Sequence, residues 1–268
     1  MIKKFFCGLG IFFLACVIFF AWIESQPVPE GFPILEYHKV TKNPPREAEI
    51  YNVLPEDFAA QLDYLQENGY TTITLQDFMR ALKGKQTLPE KPIVLTFDDG
   101  YEDNFTEMLP ILEAHNMTAV VYVITNFIGR EGYLNLEQLK EMQRRGLEIG
   151  SHTADHIPID KVSEHILNNQ IHGSKQFLDW SGLDTIYTFS YPNGAVSDKL
   201  INYLKQENFL NAVTGDAGLN NFETDPFKLK RVHIRQPRLG ITEFKFRLWK
   251  ANFFAKMERW KGGKIESD

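Results

Sequence analysis

Cysteine is scarce in this sequence, and its scarcity limits how the fold can be stabilised. Only two of the 268 residues are cysteines, Cys7 and Cys16, and both lie in an apolar N-terminal stretch. A disulfide needs a pair of cysteines, so none can cross-link the rest of the chain. The rest of the chain must therefore be held by a hydrophobic core, and an apolar fraction of 43% is enough to build one.

Positive charge is also limited, and repeats are absent. The chain has 29 lysines and arginines against 35 aspartates and glutamates, which gives a formal net charge of -6. This mildly acidic balance argues against a nucleic-acid-binding surface that spans the protein, so no nucleic-acid partner is expected. No internal repeat or low-complexity tract is present.

The one long hydrophobic run extends from Phe5 to Ile23 and follows two lysines. A run of about 19 apolar residues can span a bilayer, and flanking lysines favour a cytoplasmic location for residues 1–4. A cleaved signal peptide would have a shorter apolar region and a small-residue cleavage site, which residues 22–24 do not supply. A lipid anchor on Cys16 is an alternative, but the apolar run continues past it. We expect an uncleaved transmembrane signal anchor at 5–23, with the remainder outside the cytoplasm.

The chain then alternates between patterns typical of strands and of helices, after a proline-containing linker at 24–32. Alternation of this kind predicts parallel βαβ units, and so many units favour closure into a (β/α) barrel over residues 33–238. In such barrels the chemistry gathers at the C-terminal ends of the strands. The expected strands are 32–38, 70–75, 92–95, 119–123, 147–150, 188–191, 210–213 and 229–234, and the expected helices are 55–68, 75–82, 105–116, 136–145, 162–180 and 242–261.

Two adjacent carboxylates, Asp98 and Asp99, stand where the strand that begins at Pro92 ends. Side chains alternate faces along a strand, so both can point inward only if the chain turns there, and Gly100 permits such a turn. Two carboxylates held together repel each other unless a cation lies close by. The pair is therefore a candidate for metal binding or for acid/base chemistry, and a solvated turn is the alternative.

Two histidines, His152 and His156, follow a second strand at its C-terminal end. Their i, i+4 spacing places both imidazoles on one face if the segment becomes helical. Two neutral imidazoles and one carboxylate form a three-ligand site that leaves a coordination position open for water. Chance produces this histidine spacing often, but it rarely produces it together with a strand-end Asp-Asp-Gly.

These motifs resemble those of a known family. Residues 96–100 (Thr-Phe-Asp-Asp-Gly) and 151–156 (Ser-His-Thr-x-x-His) are similar to the first two signature motifs of the polysaccharide deacetylases of the NodB-homology type, carbohydrate esterase family 4. The resemblance extends over roughly residues 31 to 238, with weaker motifs at 34–38, 189–194 and 229–232. It implies an α/β fold in which the barrel is distorted and has about seven strands, a (β/α)7 barrel.

Residue types and the resemblance assign the same roles to four side chains. Asp99, His152 and His156 are expected to hold a divalent cation, with Zn²⁺ as first choice and Co²⁺, Ni²⁺ or Fe²⁺ as alternatives. Asp98, kept off the metal, is the expected general base that takes a proton from water. The backbone N–H of Tyr101 is expected to stabilise the oxyanion.

The proton donor is open between two histidines. His38 matches the Tyr-His of a subgroup with rearranged motifs, which resembles the poly-N-acetylglucosamine deacetylases, whereas His233 lies near the position of the C-terminal histidine of the founding members. We prefer His38. The founding members carry an arginine in their third motif where this chain has Ser190, so Arg231 is the candidate that would hold Asp98 by a bidentate pair.

Two further features are less specific. Tyr191 is a candidate for stacking on a sugar ring, with core packing as the alternative. Residues 239–268 combine aromatic side chains with lysines and arginines in a roughly helical pattern. This C-terminal helix is expected to pack onto the barrel, and attachment to an anionic membrane surface is the alternative.

The sequence therefore predicts a membrane-anchored, metal-dependent N-deacetylase. Its expected substrate is an N-acetylglucosamine-containing polysaccharide or peptidoglycan, at a bacterial cell surface or in the periplasm. One alternative is an esterase that removes O-acetyl groups with the same metal site. The other is an inactive glycan-binding barrel, against which the off-metal Asp98 argues, since a binding module needs no base. The polymer, the metal and the oligomeric state are left open.

Overall fold

Helices and strands alternate along the part of the chain that the structure, a computed structural model, describes. This part comprises residues 2–27 and 29–261, and for residues 2–12, 47 and 261 it comprises the backbone alone. The helices are α1 (Ile2–Ser25), α2 (Pro55–Glu67), α3 (Leu75–Leu82), α4 (Leu109–Ala114), α5 (Leu136–Arg144), α6 (Glu164–Asn168), α7 (Ser174–Trp180), α8 (Asp198–Gln206) and α9 (Ile241–Lys261). The strands are β1 (Ile34–Tyr37), β2 (Lys39–Val40), β3 (Asn52–Val53), β4 (Thr71–Thr72), β5 (Pro92–Phe97), β6 (Val120–Val123), β7 (Glu148–Ser151), β8 (Thr188–Ser190), β9 (Asn211–Ala217) and β10 (Leu229–His233).

Seven parallel strands close into a barrel, in the order β1-β10-β9-β8-β7-β6-β5. Closure occurs at β1, which pairs with β10 on one side and with β5 on the other. The short strand β4 pairs with the first half of β5, and β6 pairs with its second half. The predicted (β/α)7 barrel is therefore confirmed, and all its strands end on the same face of the molecule.

The pleat of the strands separates two buried layers. In β5, Ile93 and Leu95 belong to the apolar cluster that packs under the helices, whereas Val94 belongs to a second cluster that fills the barrel. The alternation continues along the strand, so Thr96 and Asp98 lie on the inner side with Val94. Near the C-terminal ends of the strands, the barrel interior therefore changes from apolar to polar.

The outer helices follow from periodic apolar residues and local capping. Helix α2 begins with Pro55 at its first position and buries Phe58, Leu62 and Leu65, as its spacing predicts. Helix α5 is capped by Asn135, whose side chain accepts the N–H of Gln138 in a reciprocal capping box. Both helices confirm the prediction to within two residues at their ends.

Two predicted helices are interrupted by a π-helical turn. The helix expected at 105–116 begins as a π turn at Asn104–Met108 before α4, and the one expected at 162–180 is divided into α6 and α7 by a π turn at Asn169–Gly173. A π turn widens the helix and redirects one side chain. In the first turn, the side-chain Nδ2 of Asn104 donates to the backbone carbonyl of His38. In the second turn, the backbone carbonyl of Gln170 accepts the N–H of Ala154.

The predicted transmembrane anchor at 5–23 lies within α1 and is not supported. Its residues 5–12 have no described side chains. Among the helices of the described part of the chain, none is both long and apolar enough to cross a membrane. The last turns of α1 instead contact α9, where the ring of Phe20 lies 5.2 Å from that of Phe253.

The C-terminal helix packs onto the protein, as expected. In α9, Phe244 and Leu248 are buried in the main core cluster, and Lys256 donates to the carbonyl of Glu24 at 2.8 Å. Helix α1 continues to Ser25, so the linker expected at 24–32 begins two residues later. The tail at 262–268 lies outside the described residues.

Candidate active site

The Asp-Asp-Gly turn separates two carboxylates that are neighbours in the chain. Strand β5 ends at Phe97, and Asp98 still points into the barrel. The chain then turns at Asp99, with φ 76°, and at Gly100, with φ 72°. At Gly100 a Cβ would lie 2.8 Å from Cγ1 of Val123, so glycine is needed for both conformation and space. The turn therefore begins at Asp99 and is completed at Gly100.

The segment that carries His152 and His156 is an irregular loop, so a helical turn is not what brings the two imidazoles together. Thr153 and His156 both adopt left-handed conformations, with φ 68° and 57°. The N–H groups of Thr125 and Asn126 donate to carbonyls in this loop, and these bonds fix its path. The two imidazole rings nevertheless meet, with centroids 4.7 Å apart. Strained backbone of this kind is concentrated at functional sites.

Asp99, His152 and His156 converge on one point. Oδ1 of Asp99 lies 3.6 Å from Nε2 of His152 and 3.7 Å from Nε2 of His156. The Nδ1 of His152 is 2.8 Å from the carbonyl oxygen of Ser190, which can only accept a hydrogen bond. Nδ1 is therefore protonated in the neutral ring, and Nε2 keeps a lone pair directed at Asp99. Two imidazole nitrogens and one carboxylate oxygen fit a divalent transition metal.

Asp98 lies beside this cluster and is held by Arg231. The two side chains form a bidentate pair, with Nη1 to Oδ1 and Nη2 to Oδ2 both at 2.9 Å. Ser190 donates to Oδ2 at 3.2 Å, and Nε2 of His152 lies 3.8 Å from the same oxygen. Burial raises the pKa of Asp98, but the charge and the hydrogen bonds of Arg231 lower it more, so it lies below the usual value. Asp98 is therefore a carboxylate that is ionised, buried and fixed in orientation.

Two further ionisable groups complete the interior. Oε2 of Glu36 lies 2.9 Å from Nη2 of Arg231. Oε1 of Glu36 accepts a hydrogen bond from Nδ1 of His233 at 2.8 Å. Burial raises the pKa of Glu36, but the Arg231 charge and the His233 hydrogen bond outweigh it and the pKa is lowered. The hydrogen bond to Glu36 raises the pKa of His233, although burial opposes the rise.

The candidate proton donor His38 follows β1 directly and is half-buried. Side-chain atoms of His38, Glu36 and Asp98 lie within 4.8 Å of one another. The ring of Tyr51 packs on His38 with centroids 5.0 Å apart, and 43% of Tyr51 is exposed. His38 thus stands between the buried carboxylates and an exposed aromatic surface.

Tyr101 and Tyr191 have different surroundings. Tyr101 follows the glycine turn, and its ring stacks on Tyr133 with centroids 5.2 Å apart. Tyr191 is completely buried, and its hydroxyl donates to the carbonyl of Phe227 at 3.2 Å. The predicted stacking of Tyr191 on a sugar is therefore wrong, because its ring is part of the core. Tyr51 is an aromatic residue that the site does expose.

Several residues that build the site were not predicted from the sequence. Glu36 had one available signal, since it is the single charged residue of an apolar strand. Asn104 and Gln170 had none, because each acts from inside a segment with an ordinary helical pattern. Gln170 donates through Nε2 to Asp155 at 2.7 Å, and its Oε1 accepts the Asp155 N–H at 3.0 Å. It therefore anchors the loop that ends in His156.

The chain is similar to known polysaccharide deacetylases. Residues 85–212 match the family model described as polysaccharide deacetylase. The chain is 29% identical over 214 residues to YxkH of Bacillus subtilis, whose name assigns it to the polysaccharide deacetylases, covering 80% of this chain and 75% of that protein. It is 25% identical over 225 residues to the poly-beta-1,6-N-acetyl-D-glucosamine N-deacetylase of Staphylococcus epidermidis, covering 75% and 78%. The solved structure of the Streptococcus pyogenes deacetylase PplD in complex with acetate superposes with a TM-score of 0.75 and 27% identity, covering 83% of this chain and 98% of that one.

Proposed function

Because this chain carries a domain of the polysaccharide deacetylase family, we propose that it removes N-acetyl groups from an N-acetylglucosamine-containing glycan with the aid of a divalent metal. The observation that carries the proposal is the convergence of Asp99, His152 and His156 beside an Asp98 that an arginine holds in place. The polymers that fit this activity lie outside the cytoplasm, so we place the enzyme there.

Asp99, His152 and His156 would hold the metal, and Zn²⁺ is the first choice for this donor set. When bound, the metal polarises the acetyl carbonyl and makes water more acidic. The hydrogen bond from His152 to the carbonyl of Ser190 fixes the tautomer that ligation requires.

Asp98 takes the proton of the attacking water. It is buried and ionised, and its bidentate pair with Arg231 leaves it little freedom to rotate. The N–H of Tyr101 is the proposed donor to the developing oxyanion. Among the described residues, no carbonyl or side chain accepts a hydrogen bond from this N–H, so it is free to serve the substrate.

His38 gives a proton to the departing amine. An amide needs this step because an unprotonated amine is a poor leaving group. The alternative donor, His233, has both ring nitrogens engaged, with Glu36 on one side and the carbonyl of Gly215 on the other. It therefore has no nitrogen left to face a substrate, and we keep His38. Tyr51, packed against His38, offers a surface on which a sugar ring could stack.

The experiment is a measurement of acetate release from a panel of glycans. The panel contains poly-N-acetylglucosamine, peptidoglycan and an O-acetylated polysaccharide that lacks N-acetyl groups. We expect release from at least one N-acetylated polymer at a rate well above release from the O-acetylated one. Faster release from the O-acetylated polymer would make the enzyme an esterase, and no release from any polymer would favour a binding protein.

A further inference from the structure

Glu36 is a charged residue at a position where the fold supplies apolar ones. Strand β1 reads Ile-Leu-Glu-Tyr, and all four residues are buried. Ile34 belongs to the cluster that fills the barrel, so Glu36, two residues later, also points into the barrel. A carboxylate is very costly to bury without a partner. Its presence here calls for a specific role that an apolar residue could not fill.

Glu36 joins two cations, the buried Arg231 and the half-buried His233. Its Oε2 lies 2.9 Å from Nη2 of Arg231, and its Oε1 lies 2.8 Å from Nδ1 of His233. The other ring nitrogen of His233 lies 2.9 Å from the carbonyl oxygen of Gly215. Carboxylate and carbonyl oxygens only accept hydrogen bonds here, so both nitrogens of His233 donate and the ring is an imidazolium.

The four groups form a row of alternating charge that ends at the reaction site. His233 is positive, Glu36 negative, Arg231 positive and Asp98 negative, so the row is neutral as a whole. Arg231 is held from behind, where its Nε donates to the carbonyl of Thr214 at 2.9 Å. Asp98 accepts hydrogen bonds from Nη1 and Nη2, each at 2.9 Å. Oε2 of Glu36 lies 2.9 Å from Nη2 but is not aligned for a hydrogen bond, so this contact is an ion pair. Removal of Glu36 takes away one of the two negative charges that hold the guanidinium.

We propose that Glu36 and His233 are positioning residues for the deacetylation, acting together through Arg231 on the carboxylate of Asp98. His233 holds Glu36 by a hydrogen bond, Glu36 holds Arg231 by an ion pair, and Arg231 fixes Asp98 by its bidentate pair. This inference rests on the proposed role of Asp98 as the base. It gives His233 a role that is distinct from proton donation, and it assigns Glu36 a role in orienting the base.

Three variants test this inference: Glu36→Gln, His233→Asn and the double variant. Each single variant leaves one charge of the row unmatched, whereas the double variant is neutral again. We expect each single variant to lower kcat by at least about tenfold with little change in KM, because small displacements of catalytic groups are costly. The double variant should lose about as much as the weaker single variant and far less than the product of the two losses.

Three further measurements separate positioning from other effects. Metal content should be unchanged in all variants, and the losses should be equal on an acetamide and on an aryl acetate, since proton donation is not affected. Each single variant should also melt about 5–10 °C lower, with partial recovery in the double variant. The control is Glu137→Gln, at an exposed carboxylate of α5, which should behave as wild type.

The outcomes distinguish this inference from the proposed function. If the wild-type enzyme releases no acetate, the function fails, while the melting temperatures still report whether Glu36 and His233 are coupled. Unchanged kcat in both folded, metal-loaded single variants would overturn the positioning role, as would losses that multiply in the double variant. Where a single variant does not fold, the neutral double variant decides alone: a kcat reduced about tenfold supports the inference, and a wild-type kcat overturns it.

Discussion

Asp98 and Asp99 are neighbours in the chain but have different partners. Arg231 binds both oxygens of Asp98, whereas Asp99 faces the two imidazoles. We expect Asp98→Asn to keep its metal and to lose at least about 10²-fold in kcat, because the base is lost. His152→Ala should instead lose most of the metal. Metal analysis and acetate release on the same samples check both, and loss of stoichiometric metal from Asp98→Asn would reverse the assigned roles.

Substrates with different leaving groups show which of His38 and His233 is the proton donor. An amine must be protonated as the C–N bond breaks, whereas an activated aryl oxide leaves without that help. His38→Ala should therefore lose on the order of 10²-fold more activity on an acetamide than on an aryl acetate, with unchanged metal content. His233→Ala should affect both substrates equally. A selective loss in His233→Ala, with His38→Ala unaffected, would move the proton donor to β10.

At the residue scale, the sequence located most of the site because each candidate stands at the end of a strand. Asp98, Asp99 and His152 follow their strands directly, and parallel strands bring such positions together. Tyr191 was misjudged because it also follows a strand, yet its ring turns into the core. Strand position specifies where a residue is and not which way its side chain points. Glu36 was overlooked for the converse reason, since a site residue inside a strand has no turn to mark it.

At the scale of an element, Glu148 at the start of β7 binds the N-terminus of α3 by a hydrogen bond. Its Oε2 accepts the N–H of Gln76 at 3.1 Å. Burial raises the pKa of Glu148 from 4.5 to about 7, although the N–H groups of Gln76 and Leu75 oppose the rise. The folded protein therefore binds a proton that the unfolded chain releases between these two values.

Proton binding by Glu148 predicts that the free energy of unfolding depends on pH. The contribution of Glu148 is complete below pH 4.5 and is lost as the pH rises to about 7. The loss is on the order of 3 kcal/mol, since the pKa rises by roughly 2.5 and one pKa unit corresponds to about 1.4 kcal/mol. Chemical unfolding of metal-free wild type and Glu148→Gln should show wild type losing that much relative to the variant across this window. A constant difference between the two proteins would contradict the raised pKa.

Elements with regular apolar spacing were predictable, and elements that serve the site were less so. Helices α2, α3 and α5 follow their sequence patterns because local propensity and burial agree. The π turn at Asn104 departs from the pattern because tertiary contacts require it. Its side chain must reach the carbonyl of His38, which no periodicity in its own segment encodes. The left-handed conformations of Thr153 and His156 also depend on tertiary contacts and not on the local sequence pattern.

At the scale of the whole molecule, the sequence predicted a barrel because so many alternating units require closure. The pairing of β1 with both β5 and β10 achieves it with seven strands. That number came from family resemblance, since the count of short strands in a sequence does not specify which ones pair. Strand β4 illustrates the point, because it pairs only beside the first half of β5 and lies outside the ring.

The central claim is that one metal, held by Asp99, His152 and His156, is required to hydrolyse an acetamide. The most direct measurement is acetate release from an N-acetylated glycan oligomer by the metal-free enzyme during titration with Zn²⁺. We expect no release without metal, a linear rise to a plateau at one equivalent, and no rise in His152→Ala at the same concentrations. Full activity in the metal-free enzyme, or a titration that His152→Ala reproduces, would contradict the account.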